Sequence, residues 1–267
     1  MPDTLEALHD RLVVGLRRLG SVVVAFSGGA DSALLAHVAA ATLGAGRAPA
    51  VTAVSASMAP DELRDCAALA AEWGLDWRTV ATDELDDPAY VTNDGTRCAR
   101  CKSALMDALD GFVPGATVVL GVNVDDLGDH RPGQEEAAKR GAVFPLVDAG
   151  LTKADVRALS HRLDLRTWDK PAQACLSSRI PYGTPVTLGR LRSVADAEAA
   201  LRALGFSSLR VRHYGDTARL EVPLDVLPTV VDLREQVVAA VRAGGYRYVT
   251  LDLEGLRSGN LNQALDA

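Results

Sequence analysis

Short apolar runs and amphipathic stretches alternate through the first half of the chain, and the alternation predicts strands and helices in turn. "SVVVAF" (21–26) is apolar nearly throughout, as a strand buried on both faces is, and a helical pattern follows from Asp31. "PAVTAVSA" (49–56), "DWRTVAT" (76–82) and "ATVVLGVN" (116–123) are further strand candidates. Pro60 opens a helix that reaches Trp73 and stops at Gly74, and the N-terminal "MPDTLEALHDRLVVGLRRLG" reads as an amphipathic helix. Strands and helices in this order predict an α/β fold, a mostly parallel sheet with helices on both faces.

The pattern changes later. "TKADVRALSHRLD" (152–164) is an amphipathic helix with Val156, Leu159 and Leu163 on one side, and the Pro- and Gly-rich "DKPAQACLSSRIPYGTP" (169–185) follows it. Beyond come a helix over about 187–204, the β-like runs "SSLRVRHY" and "ARLEV", a helix over about 226–243 and a last strand, "YRYVTLDL". This order predicts a first domain over 1–168, a loop or linker over 169–184 and a small α+β domain over 185–267.

Composition narrows the function classes. Of 267 residues, 48% are apolar, enough for a sizeable core, and no apolar run is long enough to cross a bilayer. The N-terminal stretch carries charge throughout and does not resemble a signal peptide, so a cytoplasmic protein with no membrane contact is expected. The formal net charge of −7 sits poorly with stable nucleic-acid binding, which favours a basic excess. Four cysteines without a secretion signal point to a reducing compartment, where thiols serve catalysis or metal binding more often than disulfides.

"AFSGGADSALLAH" follows a buried strand and opens a helix. Gly28 and Gly29 permit a tight turn that aims successive N–H groups at an anion, and the helix N-terminus adds the positive end of its dipole. A Walker A lysine and the Rossmann G-x-G-x-x-G spacing are both absent. S-G-G-x-D-S directly after an apolar strand resembles the PP-loop of ATP pyrophosphatases, which adenylate a carbonyl or carboxylate and release pyrophosphate. "GVNVDDLGDHRPG" (121–133), after the fourth strand, fits the same resemblance. The resemblance implies nucleotide-binding roles for Ser27, Gly28, Gly29, Asp31, Ser32, Asn123 and Asp126.

The attacking group in such enzymes is ammonia or sulfur, and nothing here looks like a glutaminase. Cys66 lies at helical spacing between Leu63 and Ala70 and reads as a core residue. Cys98 and Cys101, in "TRCARCKSAL", have a spacing that suits a redox pair, half a metal site, sulfur delivery or no chemical role at all, and the reading places them in a strand-end loop. Cys175, in "ACLSSRIPYG", has Ser177, Ser178 and Arg179 beside it. The residues alone leave open a reactive thiol and one packed beneath a Pro-rich loop.

"KPAQACLSSRIPYGTPVT", "SGGADS", "GVNVDDLGDHRPG", "LRVRHYGDTARLE" and "YRYVTLDLEGLRSG" together resemble the LarE family of pyridinium-dicarboxylate mononucleotide sulfur transferases, in family order over nearly the whole chain. The resemblance implies ATP- and Mg²⁺-dependent adenylation of a carboxylate on a pyridinium mononucleotide, then replacement of oxygen by sulfur, in the synthesis of the nickel-pincer nucleotide. Some members of the family sacrifice the sulfur of one cysteine; others resemble enzymes in which three cysteines hold a [4Fe–4S] cluster that carries an extra sulfide. Cys98, Cys101 and Cys175 match the three-cysteine pattern, which implies a cluster and a separate sulfide donor. The resemblance also implies a trimer-based homo-oligomer, possible up to a hexamer, and a substrate-facing role for Arg210 and Arg212, which period-2 geometry puts on one strand face. Ser178 and Arg179 are expected to orient the adenylated intermediate.

Glu198 falls within the apolar stripe of Leu191, Val194 and Leu201, where a carboxylate needs a partner. It is expected to ligate Mg²⁺ or to pair with an arginine, with Glu221 and Asp225 as guesses for a second metal ligand. Arg257 is read as a phosphate or subunit contact, and His9, His37, His130, His161 and His213 as structural or exposed. A tRNA-thiolating PP-loop enzyme is the alternative within enzymes, and a nucleotide- or iron–sulfur-sensing module the alternative outside them.

Overall fold

The computed structural model describes residues 3–128, 132–171, 174–257 and 260. The chain groups into two compact units. The first comprises residues 1–55, 60–84 and 98–173; the second gathers 56–59 and 85–97 with everything from Ala174 onward.

The first unit is built on a four-stranded, wholly parallel sheet of β1 (Val22–Ala25), β2 (Ala50–Val54), β3 (Trp77–Ala81) and β4 (Thr117–Leu120), in the order β3-β2-β1-β4. Its helices are α1 (Leu5–Leu19), α2 (Ala30–Leu43), α3 (Pro60–Trp73), α5 (Arg97–Leu109), α6 (Pro132–Lys139), α7 (Pro145–Asp148) and α8 (Lys153–Arg162); α4 (Pro88–Thr92) belongs to the second unit, as does Arg97. Leu8, Leu12 and Leu16 form the buried stripe of α1, whose first turn is capped by the Thr4 hydroxyl and whose end is a left-handed Gly20. α2 is buried nearly all round, from Ala33 to Ala39, and packs on β1 and against α1 and α8. Leu105 and Leu109 of α5 pack with Val23 and Val51, so α5 covers a face of the sheet. A capping box of Thr152 and Asp155 starts α8, which buries Val156 and Leu159; Leu163 is its half-buried cap.

The expected strands and helices all form, and the α/β class is as the alternation predicts. Two local readings are corrected. Cys98 and Cys101 lie in the first turns of α5 rather than in a loop. The helix expected over 226–243 is two helices, α10 (Leu227–Asp232) and α11 (Arg234–Ala243), because Leu233 leaves helical geometry at φ −94° and ψ 19°.

The second unit carries a three-stranded sheet, β5 (Arg210–Tyr214), β6 (Thr217–Glu221) and β7 (Tyr248–Leu251), in that order. β5 and β6 form an antiparallel hairpin that turns at Gly215 (φ 61°), and β7 joins β6 in parallel after α10 and α11. α9 (Leu188–Ala203) contributes Ala197 and Leu201 to a core shared with Val211, Leu220, Val237 and Val241. Among the described residues no helix is long and apolar enough to cross a membrane.

Candidate functional site

Ser27 to Ser32 form a closed turn between β1 and α2. The Ser32 hydroxyl donates to the Gly29 carbonyl (3.1 Å), accepts from the Ser27 amide (3.2 Å) and meets the Ser27 hydroxyl at 3.0 Å. Gly28 has φ 68°, and a Cβ there would sit 2.9 Å from the Cys66 sulfur. Gly29 is the N-cap of α2 and brings no capping side chain, so the first-turn N–H groups and the helix dipole suit a phosphate.

β4 lies beside β1, which brings the second polar segment to this turn. Gly121 packs so closely on the start of α2 that a Cβ would come within 2.6 Å of the Ser32 nitrogen. Asn123 donates its side-chain amide to Asp31 (3.0 Å), and its backbone N–H donates to Asp126 (3.1 Å). All seven residues expected to bind nucleotide therefore fall within one continuous arrangement. Two lysines that the sequence reading assigned no role join them. Lys153, the first residue of α8, places its ammonium 2.6 Å from the other Asp31 oxygen, and its own N–H donates to Asp125 (2.8 Å). Lys170 donates to the Gly28 carbonyl (3.1 Å), Glu62 (3.0 Å) and Asp65 (2.6 Å). Burial alone would lower the Lys170 ammonium, but its bonds to Asp65 and Glu62 outweigh that and hold it above its ordinary range. Only the folded proximity of α8 and the 163–171 segment reveals these lysines; their sequence contexts read as a helix start and a Pro-rich loop.

Beneath the turn, Cys66 is fully buried, and burial pushes its thiol up to about 11, which suits a core residue rather than a nucleophile. Cys98 is exposed and Cys101 half-buried, three positions apart on α5 and so on neighbouring sides of one helix. Gly133 of α6 lies against Cys98 and Lys102: a Cβ there would come within 2.9 Å of the Cys98 carbonyl oxygen.

In the second unit, Cys175 is exposed at the start of a 3₁₀ turn, Leu176–Arg179. Its carbonyl accepts from the Ser178 amide (3.0 Å) and hydroxyl (2.7 Å), and Arg179 Nη1 reaches the Ala174 carbonyl (2.6 Å) and the Ser178 hydroxyl (3.0 Å). Arg179 is 2% exposed and pairs with the fully buried Glu198 through Nε (2.8 Å) and Nη2 (3.2 Å). Glu198 also accepts from Arg202 (2.8 Å) and the Val211 amide (3.0 Å). With four donors on two oxygens, Glu198 fits the ion-pair expectation; the lone pairs a Mg²⁺ would need are engaged.

Arg212 donates to the Ser178 carbonyl (2.7 Å) and to Glu221 (2.8 Å), which in turn accepts from Arg219 (3.1 Å) and Asn260 (2.7 Å). Glu221 is thus held by nitrogen donors, and Asp225 is exposed. The buried Nε of Arg212 has no acceptor among the described residues. Arg210 donates to the Arg257 carbonyl (3.0 Å); burial, then Arg212 and Arg179 nearby, lower its guanidinium from the ordinary range. Arg257 itself bonds Glu254 (2.7 Å). Ser178, Arg179 and Arg212 are therefore bonded together next to Cys175 in a network ion-paired with Glu198 and Glu221, with Arg210 close to Arg179 and Arg212. His37, His161 and His213 each rest edge-on against an aromatic ring, and His130 lies outside the described residues. Among the described residues, neither unit contains three or more His, Cys, Asp or Glu side chains placed to hold a metal ion.

A parallel sheet whose first strand enters a Ser–Gly–Gly turn at a helix N-terminus, with Asp31 held by the loops beyond β4, defines an ATP-dependent enzyme of the PP-loop class. The NAD synthase family model matches residues 7–100. The chain is 36% identical over 265 residues to pyridinium-3,5-bisthiocarboxylic acid mononucleotide synthase of Lactiplantibacillus plantarum, covering 98% of this chain and 96% of that one. It is 42% identical over 266 residues to an uncharacterised protein of Synechocystis sp., covering 98% and 99%. An uncharacterised Methanocaldococcus jannaschii protein is 23% identical over 240 residues, covering 89% and 91%. The chain belongs to the LarE family, that of the Lactiplantibacillus plantarum synthase.

Proposed function

We propose that the protein is an ATP-dependent sulfur transferase that converts pyridinium-3,5-biscarboxylic acid mononucleotide to its thiocarboxylates. The observation that carries this reading is an exposed thiol, Cys175, presented next to a cluster of arginines in a chain related end to end to a synthase of that product. The phosphate turn would hold the triphosphate of ATP, with Asp31 as the carboxylate available to a bound Mg²⁺. Lys153 neutralises Asp31 and is positioned to follow negative charge as pyrophosphate leaves. The half-buried Arg210 guanidinium suits the substrate's phosphate or free carboxylate, while buried Arg212, bonded to the Ser178 carbonyl and Glu221, would hold the cysteine loop behind it.

For the sulfur source we favour an iron–sulfur cluster on Cys98, Cys101 and Cys175. Three cysteine thiols, two of them near-neighbours on one helix, are suitable ligands by type, and the iron left without a cysteine would carry an extra sulfide from a separate donor when the cluster is bound. The test is product mass and pyrophosphate release with ATP, Mg²⁺ and the biscarboxylate nucleotide, after anaerobic reconstitution with iron and sulfide. Cluster use predicts that Cys98→Ala, Cys101→Ala and Cys175→Ala each abolish multiple turnover. Loss only with Cys175→Ala, and conversion of Cys175 to dehydroalanine, would identify sacrificial transfer instead. No pyrophosphate release by the wild type would overturn the function itself.

A further inference from the structure

The segment 90–97 lies far from Cys175 in sequence, yet it makes the contacts that shape the loop carrying this thiol. Asn93 is fully buried with φ 60°, a left-handed conformation that a non-glycine residue adopts only where its surroundings hold it there. Its side-chain amide donates to three carbonyls of the Cys175 loop, those of Pro181 (2.8 Å), Thr184 (2.8 Å) and Ile180 (3.3 Å). Its own carbonyl accepts from Gly183 (3.0 Å). Arg97, 5% exposed, donates one Nη1 to both the Asn93 side-chain oxygen (2.5 Å) and the Ser177 carbonyl (2.9 Å), and its guanidinium lies over the Tyr182 ring at 5.4 Å. The buried Tyr90 hydroxyl meets the Ser177 hydroxyl at 2.6 Å, and the Leu176 amide donates to Ser57 (2.8 Å).

The loop therefore has a mould. Its backbone from Leu176 to Thr184 is bonded to Ser57, Asn93 and Arg97, and its Ser177 hydroxyl to Tyr90, while Cys175 itself is exposed. Burying a guanidinium is costly unless acceptors surround it, so Arg97 is an expensive residue to use merely as filler. We infer that Arg97, assisted by Tyr90, is a positioning residue for the thiol of Cys175, which it acts upon through the Ser177 carbonyl. Arg97 is also the first residue of α5, directly before Cys98, so one residue's backbone begins the helix of the cysteine pair while its side chain sets the Cys175 loop.

Two readouts test this, and only the second rests on the sulfur-transfer reading. Arg97→Lys keeps the charge but removes the planar fork that bonds Asn93 and Ser177, and Tyr90→Phe removes a single hydroxyl; both are chosen to leave the fold intact. Amide hydrogen exchange, which needs no substrate, should accelerate at least tenfold at Leu176, Ile180 and Gly183 and stay unchanged at Val24 and Phe26. With substrate, pyrophosphate release should remain within about threefold of wild type, while thiocarboxylate formation falls at least tenfold. Arg97→Met should lose more transfer than Arg97→Lys. Unchanged exchange in both conservative variants, or pyrophosphate release and transfer falling in parallel, would overturn the assignment. A wild type that releases no pyrophosphate would instead count against the proposed function, leaving the exchange result to decide the role of Arg97 in the loop.

Discussion

Gly28 is constrained twice over. Its φ of 68° disfavours any side chain, and the space a Cβ would need is filled by the Cys66 sulfur 2.9 Å away. Gly28→Ala is expected to lose about 1–2 kcal/mol from the left-handed backbone and a further ~1–3 kcal/mol from overpacking. Thermal unfolding should show the loss, and ATP-dependent pyrophosphate release should fall with it as the turn shifts. Cys66 gives the same site an alkaline signature. Its thiol titrates near 11 when folded, so the unfolded chain loses this proton first, and each pH unit from about 9 to 11 favours unfolding by about 1.4 kcal/mol. Urea midpoints of the wild type should drop across that window, and the drop should be shallower in Cys66→Ala. Glu198 tests a different point. Glu198→Gln leaves Arg179 and Arg202 facing a neutral group, which should cost about 3–5 kcal/mol whether or not Mg²⁺ or a chelator is present. A midpoint that depends on Mg²⁺ in the wild type and not in the variant would restore the metal reading.

Elements were legible where their burial was one-sided or complete. β1, in the middle of its sheet, is apolar at every position, and β3, at the edge, mixes Arg78 and Thr79 with Val80, and both patterns could be read as strands. α5 was harder because its first two turns carry Arg97, Arg100, Lys102 and the cysteine pair, and its buried stripe of Leu105, Met106 and Leu109 begins only afterwards. The break at Leu233 was hidden by the continuous apolar spacing of Val230, Val237 and Val241 across it. In the candidate site, the glycines and Asp31 announced themselves through a motif, whereas Lys153, Lys170 and Asn93 act through contacts that chain spacing cannot express. Element packing also yields a prediction. β4 meets α2 through Gly121, and Gly121→Ala would force these two elements apart by the clash at Ser32. A loss of about 1–3 kcal/mol in stability is expected, with a larger proportional loss of pyrophosphate release, because the displaced turn is the phosphate turn itself.

At the scale of the molecule, the second unit is assembled from three stretches of chain rather than one. A fragment of residues 185–267 would lack Arg179 opposite Glu198 and the entire 85–97 segment. Expressed alone, it should show no cooperative melt by circular dichroism; a sharp transition would mean that the α+β sheet and its helices suffice. The same interleaving has a consequence in time. Arg97 waits 80 residues for Ser177, and the Asn93 side chain 91 residues for Thr184. Closing such spans is slow compared with forming a helix or hairpin, and a chain growing from its N-terminus cannot begin until both partners have emerged. The fixed presentation of the Cys175 thiol thus belongs to the late stages of folding, so a nascent or truncated chain owns the cysteine before it owns the loop that aims it.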